Sequence, residues 1–213
     1  HARTDTGSPT FDTEVYQAIH DEIRDRTDIV INFSTGAIDM PVEDRTDYIE
    51  TVQPEMAALN MGSMNYAKYS DRRAAFVFDM VFQNPFRDIQ AFLESMNGAG
   101  VRPELECFDT GHIGNVRPLQ KTGVLDGAPH FSLVMGVLGG IPASVANLVH
   151  QVRQLPSNAT WQVIGISRDQ WPLVSAGMAM GGNVRVGLED NFYLREGEMA
   201  DSNADLVKKA VEM

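Results

Sequence analysis

The stretch HFSLVMGVLGGIPASVANLVHQV (residues 130–152) holds one complete unit of a repeating pattern. Its first eight residues, HFSLVMGV (130–137), are a short apolar run of the kind that forms a buried strand. Gly139 and Gly140 break the run, and Ser144 stands where a helix cap belongs. Val145, Leu148, Val149 and Val152 then follow the i, i+3, i+4, i+7 spacing of an amphipathic helix. A buried strand followed by a helix with one apolar stripe is a βα unit, and such units build parallel sheets.

Outward from this unit the pattern recurs. DIVINF (28–33), MAALNM (56–61), AAFVFDM (74–80), ELECFD (104–109), WQVIGIS (161–167) and NVRVGLE (183–189) also read as buried strands, giving seven in all. Val15, Ile19 and Ile23 share one face of a first helix. Asn84-Pro85 reads as an N-cap and an N1 proline before the stripe Ile89, Phe92, Leu93 and Met96, which Gly98 and Gly100 stop. Ser202 with Asp205 predicts a capping box near the C-terminus. Residues 70–83 fit a strand and a short helix about equally.

Strands alternating with helices every 20–30 residues predict a parallel α/β fold. A (β/α)8 barrel takes about 250 residues. Seven strands within 213 residues, starting abruptly, predict a TIM (β/α)8 barrel whose first βα unit lies outside this chain. Residues 1–213 are then a single barrel domain, truncated at the N-terminus and at the C-terminus. An open doubly wound sheet is the alternative, but no GxGxxG follows the first strand.

Composition narrows the class. A formal charge of −12 excludes a broad nucleic-acid surface, which needs clustered Lys and Arg. No apolar run is long enough to span a membrane, and these residues show no signal-peptide pattern. The lone Cys107 cannot form an intrachain disulfide, which fits a reducing, cytoplasmic setting. With 43% hydrophobic residues the chain has ample material for a core.

In a βα barrel the active site lies at the C-terminal ends of the strands. Ser34-Thr35-Gly36 follow DIVINF, and Gly62, Ser63 and Asn65 follow MAALNM. ELECFD carries Glu104 and Glu106 and leads to Asp109, Thr110 and His112; Arg168 follows WQVIGIS, and Asp190 follows NVRVGLE. Hydroxyls, carboxylates and a guanidinium thus gather at one end of the strands, which favours an enzyme. Strand alternation sets Arg185, Gly187 and Glu189 on one face, with Gly187 leaving room between the charges. Two readings remain open there: an internal Arg–Glu ion pair without chemistry, or a metal-binding carboxylate beside a proton-moving one. Cys107 alternates away from Glu106 and reads as core, and His20 and His150 lie on helices. Gly139-Gly140 before a helix could admit a phosphate group.

HAR, NFSTGA, LNMGSMNY, ELECFDTGHIGN, VMGVLGGIPAS and AMGGNVRVGLEDNFYL, in this order, resemble the β-keto acid cleavage enzymes over essentially the whole chain. The founding member of that family cleaves 3-keto-5-aminohexanoate in lysine fermentation. The resemblance implies a zinc-dependent TIM barrel, usually a homotetramer, that converts a β-keto acid and acetyl-CoA into acetoacetate and a new acyl-CoA. It matches His1 to the second histidine of an HxH zinc pair and Glu189 to the third ligand. The first histidine would lie two residues before His1. It makes Asp190 the base, Arg185 an aid to CoA transfer, and Glu106 the strand glutamate that orients the catalytic groups. Ser34, Thr35, Gly36 and Ser63 match positions that hydrogen-bond the substrate carboxylate. His112 matches no ligand. The competing readings are a metal-dependent aldolase or decarboxylase on the same barrel, and a non-catalytic barrel fragment.

Overall fold

The computed structural model of the protein describes residues 1–38 and 40–213, and six parallel strands form its centre. In chain order the elements begin with α1 (Thr13–Arg24), β1 (Asn32–Ser34), α2 (Glu43–Val52), β2 (Met56–Asn60), β3 (Met64–Ser70) and β4 (Ala75–Phe82). α3 (Phe86–Ala99), β5 (Arg102–Cys107), α4 (Thr110–Gly114), α5 (Val116–Lys121), β6 (His130–Met135), α6 (Val145–Val152) and β7 (Thr160–Gly165) follow. A 3-10 turn at Ser167–Asp169 leads into α7 (Gln170–Ala179), β8 (Asn183–Arg185), the short strands β9 (Tyr193–Arg195) and β10 (Glu198–Met199), and α8 (Asn203–Glu212).

The main sheet runs β1-β2-β5-β6-β7-β8, all parallel, so each crossover carries a helix back over one face. Strand periodicity sorts the side chains. Leu59, Leu105, Cys107, Phe131, Leu133 and Val163 turn to the helical layer, where they pack with Ile89, Phe92, Leu93 and Met96 of α3, Leu148 of α6 and Leu173 of α7. The other face is polar: the register aligns Asn60, Glu106, Ser132 and Gln162, with Asn183 and Arg185 on β8. On that inner face the buried Glu104 carboxylate accepts from Asn32 Nδ2, Ser132 Oγ and Gln162 Nε2. It thereby ties β1, β6 and β7 to β5 across the concave side, with the partners a buried carboxylate requires.

The helix signals hold, except that Gly98 lies within α3 instead of stopping it and the cap of α3 shifts. Ser144 caps α6 through the Asn147 N–H, the Ser202–Asp205 capping box is formed, and Gly100 ends α3 at φ +72°. At α3, however, Pro85 is the cap residue, and Asn84 turns its amide to the Asn60 carbonyl.

Three expectations need correction. AAFVFDM (74–80) is a strand from Ala75 onward but not one of the parallel sheet: it falls in β4, which pairs antiparallel with β3 in a separate hairpin. Six parallel strands remain rather than seven. Phe76, Val77 and Val81 on this hairpin face outward, so an apolar run here does not mean burial in the main core. Residues 28–31 precede β1 rather than belonging to it, with Ile29 and Val30 exposed. Finally β8 stops at Arg185, so alternation does not set Glu189 on the face of Arg185.

Candidate active site

The chain after β8 is bent by its own hydrogen bonds. Asp190 N–H and Asn191 N–H both donate to the Gly187 carbonyl, at 3.1 and 3.0 Å, closing a tight turn. Ser167 N–H donates to the Asp190 carbonyl at 2.7 Å, and Asn203 Oδ1 of α8 accepts from Leu188 N–H at 2.8 Å. The buried Asn191 amide donates to Gln170 Oε1 at 3.2 Å. These contacts turn Asp190 inward, leaving its side chain 6% exposed, while Glu189 stays open to solvent.

Arg185 holds Asp190 with two bonds, Nε to Oδ2 and Nη2 to Oδ1, each 3.2 Å. Its Nη1 donates to Glu106 Oε1 at 3.1 Å. The ion pair that the sequence suggested between Arg185 and Glu189 is absent among the described residues; Asp190 and Glu106 take its place. Burial raises the pKa of Asp190 against the pull of Arg185. It pushes Glu106 up to about 7, again opposed by Arg185. Two carboxylates with raised proton affinity on one guanidinium form a group able to accept and hold a proton.

Beside this group His1 Nε2 lies 3.4 Å from Glu189 Oε1. The His1 end of the chain is fixed by the buried Ala2, whose carbonyl accepts from Thr10 N–H at 3.1 Å. The Glu189 carboxylate raises the pKa of His1 against burial, and His1 in turn lowers that of Glu189. A separation of 3.4 Å is long for an N–H···O bond. It matches the edge of a zinc tetrahedron, since N and O ligands about 2.0–2.1 Å from the metal stand about 3.3 Å apart. His1 and Glu189 are thus residues of types that could hold a zinc ion. No cluster of three or more His, Cys, Asp or Glu suited to a metal occurs among the described residues.

The Ser34–Gly36 loop borders the same space. A β-carbon placed on Gly36 would lie 3.4 Å from Ser34 Oγ, 3.7 Å from Asn60 Nδ2 and 3.8 Å from His1 Cε1. Thr35 is 2% exposed and its hydroxyl donates to the Ala58 carbonyl at 2.6 Å, so it braces the loop from within. From α2, Tyr48 OH donates to the Ser34 carbonyl and Arg45 Nη1 to the Thr35 carbonyl, at 2.8 and 3.1 Å. Ser63 is exposed and its Oγ accepts from Asn84 N–H at 2.7 Å; no hydrogen bond joins it to Ser34, Glu106 or Arg185 among the described residues.

The structure thus brings His1, Glu189, Asp190, Arg185 and Glu106 together, with Gly36 between His1 and Ser34. Reading only the residues that follow each strand passed over Asn60. It is the last residue of β2, its Nδ2 faces Gly36, and its Oδ1 is buried without a partner. Its place at a strand's C-terminal end was the available signal.

Other candidates are structural. His112 Nδ1 accepts from Phe108 N–H at 3.2 Å, and its ring fills the space a β-carbon on Gly62 would need, at 2.6 Å. At Gly139 a β-carbon would fall 1.9 Å from the Asn65 carbonyl oxygen, and at Gly140 2.5 Å from that of Phe108. This glycine pair therefore serves close backbone packing under the hairpin. Cys107 is fully buried, and burial pushes its thiol pKa up.

Comparisons with known proteins agree in direction. The model of the family described as beta-keto acid cleavage enzyme matches residues 1–213. A 3,5-dioxohexanoate:acetyl-CoA acetone transferase of Paraburkholderia graminis is 37% identical over 228 residues, covering 98% of this chain and 74% of that protein. A 3-keto-5-aminohexanoate cleavage enzyme of Fusobacterium nucleatum is 36% identical, covering 100% of this chain and 74% of that protein. Among solved structures, the binary complex of ObcA with oxaloacetate superposes with a TM-score of 0.73 at 16% identity. It covers 95% of this chain and 52% of that one, a likeness of fold alone.

Proposed function

We infer the reaction from one premise: this chain belongs to the beta-keto acid cleavage enzyme family. The protein is an acyl-CoA-forming transferase that takes a β-keto acid and acetyl-CoA and returns acetoacetate and a new acyl-CoA. The observation that carries this reading is the trio of Arg185 with Asp190 and Glu106, set beside His1 and Glu189.

Asp190, buried and turned inward, takes a proton from the methylene between the two carbonyls of the substrate. The carbanion attacks the acetyl carbonyl and the CoA thiolate leaves. The thiolate then attacks the substrate's original keto carbonyl, and the bond between that carbon and the methylene carbon breaks. The carbanion released by the cleavage recovers its proton from Asp190 as acetoacetate, and the other fragment departs as acyl-CoA. Arg185 balances charge as Asp190 changes protonation and assists the CoA step, while Glu106 fixes the guanidinium from the other side. Ser34, Gly36 and Ser63 hydrogen-bond the substrate carboxylate, and Thr35 braces their loop.

His1 Nε2 and Glu189 Oε1 are the donors this chain offers to zinc. The third is the histidine that the family resemblance sets two positions before His1. Bound zinc would supply a Lewis acid that makes the methylene more acidic. The same reading makes the six parallel strands part of a TIM (β/α)8 barrel. It also carries a cytoplasmic homotetramer; no helix among the described residues is long and apolar enough to cross a membrane.

The test is a panel of β-keto acids with and without acetyl-CoA, followed by mass spectrometry. Acetoacetate and a matching acyl-CoA form only when acetyl-CoA is present. Turnover of the β-keto acid without acetyl-CoA would replace this reading with an aldolase or a decarboxylase.

A further inference from the structure

Arg45 lies in the first turn of α2 and is 4% exposed. Among the described residues no carboxylate stands within ion-pair distance of it. Its guanidinium stacks over the Phe92 ring at 4.6 Å, its Nε is buried without a partner, and Nη1 donates to the Thr35 carbonyl. Among the described residues Asp88 is the acid that acts on it, from beyond contact, and Asp88 is itself paired with Arg87. Burying a guanidinium this way is costly.

The position of this arginine gives it a role. Arg45 and Tyr48 draw the Thr35 and Ser34 carbonyls toward α2. In a trans peptide the C=O and N–H point opposite ways. The Thr35–Gly36 peptide therefore turns its N–H from α2 toward Ser34 Oγ, at 3.2 Å, on the side that Asn60 and His1 border. The carbonyl is anchored on a buried positive charge directly behind the loop.

We propose that Arg45 is a positioning and specificity residue for the substrate carboxylate. It fixes the Thr35–Gly36 peptide with its N–H end toward the site, and from behind the loop it favours an anionic substrate over its neutral counterpart. The proposal rests on the reading that this loop takes the β-keto acid's carboxylate. A full charge acting across one peptide group in a poorly solvated region is worth about tenfold in that preference.

The experiment compares binding of acetoacetate and of its uncharged methyl ester to the protein by isothermal titration. Wild type prefers acetoacetate. Arg45→Met, which keeps the packing on Phe92, lowers that preference about tenfold by weakening acetoacetate and sparing the ester. Arg45→Gln, which retains a donor for the Thr35 carbonyl, does the same if the methionine variant is unstable. Arg45→Lys keeps the preference within about threefold, because the charge remains. An unchanged preference in Arg45→Met or Arg45→Gln overturns the role of Arg45 and leaves the loop reading intact. No preference in wild type sinks the loop reading, and the proposal with it.

Discussion

Replacing Asp190 with asparagine isolates the proton-moving step. The side chain keeps its shape and loses its charge. Arg185 loses its two-bond partner but retains Glu106 at 3.1 Å, so the guanidinium stays in place. On stability two effects oppose each other. The variant forfeits a bidentate pair to a half-buried arginine, and it is relieved of a carboxylate whose ionised form burial disfavours. The net change is about 1 kcal/mol or less, a shift of about 2–4 °C in Tm for a chain of this size. A positioned base is worth about 10²–10⁴-fold, or about 2.7–5.4 kcal/mol of barrier. Activity therefore falls far more than stability does. The assay follows exchange of the methylene protons of acetoacetate in D2O by NMR, without acetyl-CoA, relative to buffer. Asp190→Asn exchange within tenfold of wild type, in a folded protein, refutes the assignment of the base.

Three further outcomes follow from the same geometry. Glu189→Gln and His1→Ala each lose bound zinc, read as metal content by mass spectrometry after dialysis. Chelation of wild type abolishes turnover and added zinc restores it; full turnover in the metal-free protein contradicts this. Glu55 accepts from Ile31 N–H at 2.9 Å and pairs with Arg24, which lowers its pKa. A lowered carboxylate pKa stabilises the fold above the unfolded value of about 4.3 and loses that effect as pH falls through the folded value. The side chain is about half exposed, so Glu55→Gln costs only a few tenths of a kcal/mol at pH 7. The gap between the two proteins in urea melts closes toward pH 3; a gap that widens on acidification contradicts the sign. Gly139→Ala forces a β-carbon onto the Asn65 carbonyl at φ +106°. It destabilises by about 3 kcal/mol in urea unfolding, and a cost under about 1 kcal/mol would mean that the hairpin base yields freely.

What could be read in advance divides along physical lines. Local signals survived because they are local. The Ser144 cap, the Gly100 stop and the Ser202–Asp205 box each depend on residues within one turn. The alternation of helix and strand gave the parallel sheet for the same reason. AAFVFDM misled because its apolar character says nothing of its pairing partner; only the long-range register with β3 places it in a hairpin. Glu189 misled for a related cause. Strand alternation extrapolated past Arg185, whereas the turn is held by Ser167 and Asn203 from remote parts of the chain. His1 beside Glu189 was expected from family resemblance alone, since no spacing connects residues at opposite ends of the sequence. Arg45 was invisible for the opposite reason: an arginine in a helix's first turn ordinarily faces water, and only the packed loop above it shows that this one does not.

The central claim, acyl exchange through Asp190 and acetyl-CoA, is tested most directly by where the acetyl carbons go. The protein is supplied with acetyl-CoA carrying 13C at both acetyl positions and with an unlabelled β-keto acid other than acetoacetate. The account predicts acetoacetate labelled at its keto and methyl carbons, and a new acyl-CoA without label. Unlabelled acetoacetate, or label in the acyl-CoA, would contradict it.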